Sequence, residues 1–156
     1  MQMLTAGMAA PNFTLQDQNG NVVTLTQFKG ETKVLAYFYP RAMTPGCTTQ
    51  ACLLRDSKAV FEAFNTVILG LSPDPVKKLK YFEQKKELNF TLLSDENHAV
   101  ADAFGAWGPK KFMNKEYDGI HRISFLIDKN GNIEHIFNKF TTKDHHDIVI
   151  NFLKSI

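Results

Sequence analysis

The chain has 156 residues, of which 44% are hydrophobic, and a formal net charge of +2 at pH 7. This length is typical of one domain with its own core, so we expect residues 1–156 to form a single domain. The small net charge excludes a globally basic surface for nucleic acid or an anionic membrane, and no apolar run approaches the roughly 18 residues that span a bilayer. The segment Met1–Pro11 lacks the features of a secretory signal. The two cysteines therefore indicate a reducing, cytoplasmic setting, in which an oxidisable cysteine is usually catalytic or sensing.

The first half of the chain alternates predicted strands and helices. An Asn-Gly turn between Phe13–Leu15 and Val22–Leu25 predicts a hairpin, and the apolar run Val34–Tyr39 predicts a strand buried on both faces. Helical spacing extends from Cys47 to Phe64, and Val67–Leu71 predicts another buried strand. The apolar residues of the predicted helix share one stripe: Ala51, Leu54, Val60, Phe61 and Phe64.

The second half contains further helices, a strand, a loop rich in Gly, Pro and Lys, and a second hairpin. In chain order these are the helix Val76–Lys86, the strand Phe90–Leu93, the helix His98–Phe104, the loop Gly108–Gly119, the hairpin strands Ile123–Ile127 and Ile133–Phe137, and the helix Lys143–Leu153. The order predicts a βαβ core joined to a ββα unit. The fold class is therefore α/β, with a central mixed sheet and helices on both faces.

Cys47 is placed for reactivity, because it follows a central strand and begins a helix. Active sites in such sheets lie at the carboxyl ends of strands, and the helix start favours a thiolate. An ordinary cysteine is only about 3% thiolate at pH 7, and making it mostly thiolate takes about 3.4 kcal/mol. The helix dipole contributes at most about 2 kcal/mol. A cation close to the sulfur of Cys47 is therefore required.

Cys52 lies five residues after Cys47. In a regular helix their Cα atoms would be about 8.6 Å apart, whereas a disulfide requires about 4.4–6.8 Å. If the two thiols react, the first helical turn must unwind. For Cys52 taken alone, its apolar neighbours favour a buried structural cysteine. The sequence has neither the second cysteine pair typical of zinc sites nor a Cys-x-x-Cys redox motif.

The segment Tyr37–Cys52 resembles the active-site segment of the peroxiredoxins, and a cysteine five residues on resembles the bacterioferritin comigratory protein, or PrxQ, branch of that family. The resemblance extends over essentially the whole chain. It includes Gly70–Asp74, Leu88–Glu96 and Gly119–Asp128. It implies a thioredoxin-like fold that opens with an N-terminal β-hairpin.

The resemblance also implies roles for individual residues. Cys47 resembles the peroxidatic cysteine, and Cys52 resembles the resolving cysteine that forms a disulfide with it. Thr44 resembles a motif threonine whose hydroxyl contacts peroxide and thiolate, and Arg122 resembles the arginine that stabilises both the thiolate and the leaving oxygen. Two residues shape the pocket: Pro40 shields it, and the backbone N–H of Gly46, with that of Cys47, completes the cradle.

Three positions depart from the commonest family pattern, namely Ala42, Gln50 and Ser124, where aspartate, glutamate and threonine are frequent. We interpret none of them as a core catalytic position.

Other polar and aromatic candidates have simpler interpretations. We interpret His145 and His146 as a solvated helix start rather than a metal site. His98 and His135 bring no companion ligands. His121 adjoins Arg122, and we interpret it as an ordinary loop-to-strand residue, with a modest role near the site as the alternative. Trp107 and Phe112 either pack normally, cover the pocket or dock a reductant.

We therefore predict a cytoplasmic, monomeric thiol peroxidase that reduces hydrogen peroxide and organic hydroperoxides. Thioredoxin or glutaredoxin would be the reductant, and no cofactor, metal, nucleic acid or membrane is implied. Two alternatives are a protein thiol–disulfide oxidoreductase and a non-enzymatic chaperone or interaction module with inert cysteines.

Overall fold

A seven-stranded mixed sheet organises residues 4–156, which the computed structural model describes; the first three residues of Met1–Pro11 lie outside that range. The nine strands, in chain order, are β1 (Thr14–Asp17), β2 (Val22–Thr24), β3 (Lys33–Phe38), β4 (Thr66–Ser72), β5 (Thr91–Ser94), β6 (Trp107–Phe112), β7 (Lys115–Ile120), β8 (Ser124–Ile127) and β9 (Ile133–Phe137). The sheet has the order β2-β1-β5-β4-β3-β8-β9, and β6 pairs with β7 separately. This α/β architecture confirms the predicted fold class and both predicted hairpins of the main sheet.

Strand β3 lies near the middle of the sheet, parallel to β4 and antiparallel to β8. Leu35 and Tyr37 face one hydrophobic cluster, whereas Val34, Ala36 and Phe38 face the other. A strand with a partner on each edge and a core on each face has no polar side, which explains its unbroken apolar sequence. The prediction of a doubly buried strand is confirmed.

Five helices cover the two faces unequally. They are α1 (Pro45–Asp56), α2 (Lys58–Ala63), α3 (Val76–Lys86), α4 (Ala99–Ala103) and α5 (His145–Ser155). Buried residues of α1, α2, α3 and α5 join one cluster, and α4 joins the other with a short 3₁₀ helix, Leu25–Phe28. Among residues 4–156, no helix has the length and apolar character needed to cross a membrane.

The helix predicted over Cys47–Phe64 is interrupted. Ser57 leaves the helical conformation, with φ −102° and ψ 4°, and its N–H donates to the carbonyl of Leu54. Serine interrupts helices readily because its hydroxyl competes for backbone groups. The chain restarts as α2, in which Phe61 is buried but Val60 is exposed. The single apolar stripe was therefore wrong at Val60.

The loop predicted over Gly108–Gly119 is instead the hairpin β6–β7. Its tip, Met113–Asn114, has φ of 49° and 67°, as two-residue hairpin turns of the primed type require. Most side chains on its strands are exposed, so the hairpin lacks the alternating apolar pattern by which strands are recognised.

The solvated helix start predicted at His145 and His146 is also wrong for His145. That side chain is fully buried at the start of α5, and its Nε2 lies 2.7 Å from Oγ of Ser124 on β8. The buried pair joins α5 to the sheet.

Candidate active site

The Cys47 thiol lies in the first turn of α1, directly after the central strand. Thr44 is the N-cap residue, with φ −72° and ψ 153°, and Pro45 occupies the first helical position, where its missing N–H costs nothing. Cys47 is 1% exposed. The thiol is thus buried among unpaired backbone N–H groups at the positive end of the helix dipole.

A strained loop sets the start of α1. Met43 has a φ of 69°, which is unusual for a residue with a side chain. The buried carboxylate of Asp74 holds this loop, because its Oδ2 accepts from the backbone N–H of Ala42 at 2.7 Å and from Oγ of Ser72 at 2.8 Å. We did not single out Asp74 from the sequence. Its only signal was its place between two prolines after a buried strand.

Arg122 provides a cation at the sulfur. Its Nη2 lies 3.2 Å from Sγ of Cys47, and its Nη1 donates to Oε1 of Gln50 at 2.9 Å. The residue lies between β7 and β8, 75 positions along the chain from Cys47. A guanidinium at this distance donates a charge-assisted hydrogen bond to the sulfur.

Gly46 gives the guanidinium room. A Cβ built on this residue would lie 3.1 Å from Nη2 of Arg122 and 3.6 Å from the methyl group of Thr142. The first distance is tight and the second is an ordinary van der Waals contact, so a side chain here would displace the Arg122 guanidinium by a few tenths of an ångström. Glycine at this position follows from the close approach of the arginine.

Thr44 and Pro40 lie in the segment between β3 and α1. Oγ1 of Thr44 donates to the carbonyl of Arg41 at 2.8 Å, so its proton is directed at that carbonyl in this structure. Its lone pairs remain free to accept. Pro40 is half-buried and begins the turn that leads to α1.

Cys52 lies in the same unbroken helix, and both cysteines are free thiols. Cys52 is partly exposed, whereas Cys47 is buried. Because α1 is regular through both residues, the geometric argument against a direct disulfide applies to this state. Bond formation requires the helix to open.

Neutral groups form the layer beneath α1. Burial raises the pKa of Tyr37 well above its ordinary value of 10.0, and burial raises that of Tyr39 as well. Burial also lowers the pKa of His145 to about 3. These side chains are therefore uncharged at neutral pH, and they leave Arg122 as the charged group that contacts the sulfur.

Lys110 is a second cation near the site. Its Nζ donates to the carbonyl of Ile120 at 2.7 Å, two residues before Arg122. Burial, and secondarily the charge of Arg122, lower the pKa of Lys110. The base of the β6–β7 hairpin thus borders the Cys47 site.

The three positions that depart from the family pattern all lie around this site. Gln50 bonds Arg122, Ser124 bonds His145, and the backbone of Ala42 bonds Asp74. None of the three side chains contacts the sulfur within hydrogen-bond distance. Their effect is on the residues that surround Cys47.

The remaining candidates pack elsewhere. His98 stacks on Trp107 with ring centroids 3.7 Å apart, and His135 stacks on Phe152 at 4.3 Å. Phe112 is 66% exposed near the tip of the β6–β7 hairpin. No three His, Cys, Asp or Glu side chains come together in a metal-binding group within residues 4–156.

Fold and site together define a protein class: a thioredoxin-like α/β protein with a buried, arginine-bound thiol at a helix start. Comparison with known proteins narrows this class. A family model described as the AhpC/TSA family matches residues 6–136, and the chain belongs to that family, within its peroxiredoxin members of the bacterioferritin comigratory protein branch.

Two groups of relatives illustrate the similarity. The putative peroxiredoxin bcp of Haemophilus influenzae is 58% identical over 156 residues, covering 100% of both chains, and the peroxiredoxin Bcp of Escherichia coli is 57% identical over 154 residues, covering 99% of this chain and 98% of that one. Among solved structures, the bacterioferritin comigratory protein of Xanthomonas campestris superposes with a TM-score of 0.89 at 30% identity, covering 97% of this chain and 98% of that one. The Xanthomonas structure concerns alkyl peroxide reduction activity and a trapped intermediate.

Proposed function

We propose that the chain is a thiol peroxidase that reduces hydrogen peroxide and organic hydroperoxides, with Cys47 as the nucleophile. The observation that carries the proposal is the buried Cys47 sulfur at the start of α1 with Nη2 of Arg122 at 3.2 Å. The alkyl peroxide reduction described for the similar Xanthomonas protein supports organic hydroperoxides as substrates.

The first step oxidises Cys47. The thiolate attacks one oxygen of the peroxide, the O–O bond breaks, and Cys47 becomes a sulfenic acid. The other oxygen leaves with the electron pair and takes a proton to become water or an alcohol. Arg122 stabilises both the thiolate and the developing negative charge on the leaving oxygen. Thr44 accepts a hydrogen bond from the bound peroxide, while Pro40 and Gly46 shape the space around it.

The second step uses Cys52. After the first turn of α1 opens, the Cys52 sulfur attacks the sulfenic acid sulfur, a disulfide forms, and water leaves. A dithiol protein of the thioredoxin or glutaredoxin type then restores both thiols. The partial exposure of Cys52 supports this role.

We also propose that residues 1–156 act as one domain, as a monomer, in the cytoplasm. One chain contains both cysteines and Arg122, so no second copy is needed to complete the site. The catalytic cycle needs a compartment that keeps thiols reduced.

The test is substitution of Cys47 by serine in the full chain. We expect loss of peroxide consumption in the presence of thioredoxin, thioredoxin reductase and NADPH. Turnover retained by Cys47→Ser would contradict the proposal. Reduction of insulin disulfides by the wild type without peroxide would favour a thiol–disulfide oxidoreductase. Slow reaction of both thiols with a thiol reagent would favour the non-enzymatic alternative.

A further inference from the structure

Helix α3 carries an unusual concentration of positive charge. Its eleven residues include five lysines and one glutamate, whereas the whole chain has a net charge of +2. The helix therefore carries more net positive charge than the whole chain, and the rest of the chain is slightly acidic on balance. A local feature of this kind can direct a charged partner even when the total charge is small.

Within the described residues, part of this charge has no carboxylate partner. Lys80 pairs with Glu83 at 2.8 Å and also donates to Asn19. Within residues 4–156, no carboxylate lies within 4 Å of the Nζ of Lys77, Lys78 or Lys85.

These three lysines lie on one exposed side of α3 with Tyr81. Tyr81 is four residues after Lys77, three after Lys78 and four before Lys85, and residues three or four apart are neighbours on a helix surface. Tyr81 is 52% exposed, and Nζ of Lys85 lies 5.6 Å from the centre of its ring. We call Lys77, Lys78, Tyr81 and Lys85 the lysine face.

Helix α3, which carries the lysine face, is joined at its last turn to the α1 helix that contains Cys52. Helices α1 and α3 follow the neighbouring parallel strands β3 and β4, so they run in the same direction across the sheet. Nη1 of Arg55 donates to the carbonyl of Lys86 at 2.6 Å and joins the ends of the two helices. Cys52 is one turn before Arg55 on the same side of α1. Lys85 of the lysine face directly precedes Lys86, so the contact between Arg55 and Lys86 brings one end of the lysine face to the helix end that carries Arg55.

We propose that the lysine face docks the dithiol protein that reduces the oxidised enzyme, and that this partner presents an acidic surface around its reactive thiol. The inference rests on the proposed function and specifies the partner. In the Cys47–Cys52 disulfide, the partner thiolate attacks Sγ of Cys52, the S–S bond breaks, and Cys47 leaves as a thiolate. The second partner thiol then attacks the mixed disulfide, which releases reduced Cys52 and leaves the partner oxidised.

Location favours a redox protein over nucleic acid as the occupant. The lysine face is one helix long, and its helix is bonded to α1, which contains the partly exposed Cys52. The rest of the chain offers no overall positive charge to extend a nucleic-acid contact. An exposed tyrosine amid lysines is also typical of protein interfaces, where aromatic side chains contribute binding energy.

The experiment separates docking from chemistry. The variant Lys78→Glu/Lys85→Glu reverses two charges on the lysine face, and the matched control Lys129→Glu/Lys154→Glu reverses two exposed lysines elsewhere. Reduction of the oxidised full-length enzyme is followed with an acidic bacterial thioredoxin and, separately, with dithiothreitol. Single-turnover oxidation by hydrogen peroxide is measured for each protein.

We expect kcat/KM for thioredoxin to fall by about tenfold in the lysine-face variant at low ionic strength, mainly through KM. Added salt should bring the wild type towards the variant, because screening weakens the attraction. Oxidation by peroxide and reduction by dithiothreitol should be unchanged. Equal thioredoxin kinetics in the lysine-face and control variants would overturn the proposal. The proposal would also be overturned if thioredoxin kinetics stayed equal and a twenty-base-pair DNA duplex bound the wild type but not the lysine-face variant. Failure of the wild type to react with peroxide would instead overturn the proposed function.

Discussion

Substitution of Arg122 by alanine removes the cation that contacts the Cys47 sulfur. At the observed 3.2 Å, two unit charges attract by about 5 kcal/mol if the effective dielectric constant is about 20. Water that enters the vacated space recovers part of this attraction, and the helix dipole remains. We therefore expect a loss of about 3 kcal/mol in stabilisation of the thiolate and of the transition state. This loss corresponds to about a hundredfold slower reaction with peroxide.

The assay is stopped-flow loss of thiolate absorbance at 240 nm after mixing with hydrogen peroxide, together with the starting absorbance at pH 7. Arg122→Ala should lower both the rate and the initial thiolate signal. Arg122→Lys is the matched control, because it keeps the charge but cannot bond Cys47 and Gln50 at once. It should give an intermediate rate. If Arg122→Ala reacts within about threefold of the wild type, the electrostatic argument is refuted.

Two further predictions concern α1 and the buried histidine. Oxidised wild type should lose far-ultraviolet helical signal equivalent to about one turn. Cys52→Ser, which cannot hold the open turn with a disulfide, should lose less of this signal and form a sulfenic acid that dimedone traps. If dimedone forms no adduct with Cys52→Ser, the resolving role of Cys52 is contradicted. The pKa of His145 is about 3 in the fold, whereas the ordinary value for histidine is 6.5. The fold therefore has its full stability above pH 6.5, where His145 is neutral in both the folded and the unfolded chain, and this stability is lost as the pH falls. Between pH 7 and pH 5, urea denaturation should show the wild type losing about 2 kcal/mol more than His145→Gln. Equal losses would mean that His145 does not control acid stability.

The strands of the main sheet were predictable because their signals are local. A doubly buried strand such as β3 must be apolar throughout, and the turns Asn19-Gly20 and Asn130-Gly131 mark the two hairpins. The break at Ser57 and the β6–β7 hairpin were not predictable in the same way. One depends on where the next helix packs, and the other exposes most of its side chains, so neither leaves a periodic pattern.

The residues of the site also divide into those that the sequence made predictable and those that it did not. Cys47 and Cys52 were recognisable from a short motif and from helix geometry. Arg122 lies far away in sequence, and the energy argument required a cation without identifying which residue it is. Asp74 and the Ser124–His145 pair were missed, because a buried polar residue in a single sequence looks like an exposed one. Their burial depends on partners supplied by other elements.

The contacts around α1 also explain why oxidation would open the helix at one end. Arg122 holds the first turn through a charged contact with Cys47, and that attraction disappears when the thiolate becomes an uncharged sulfenic acid. The favourable interaction between the thiolate and the helix dipole is lost at the same moment. The far end keeps its anchors, because Arg55 bonds the carbonyl of Lys86 and Leu54 is fully buried. We therefore expect unwinding to be confined to the first turns, with Cys47 moving towards a stationary Cys52 only after peroxide has reacted.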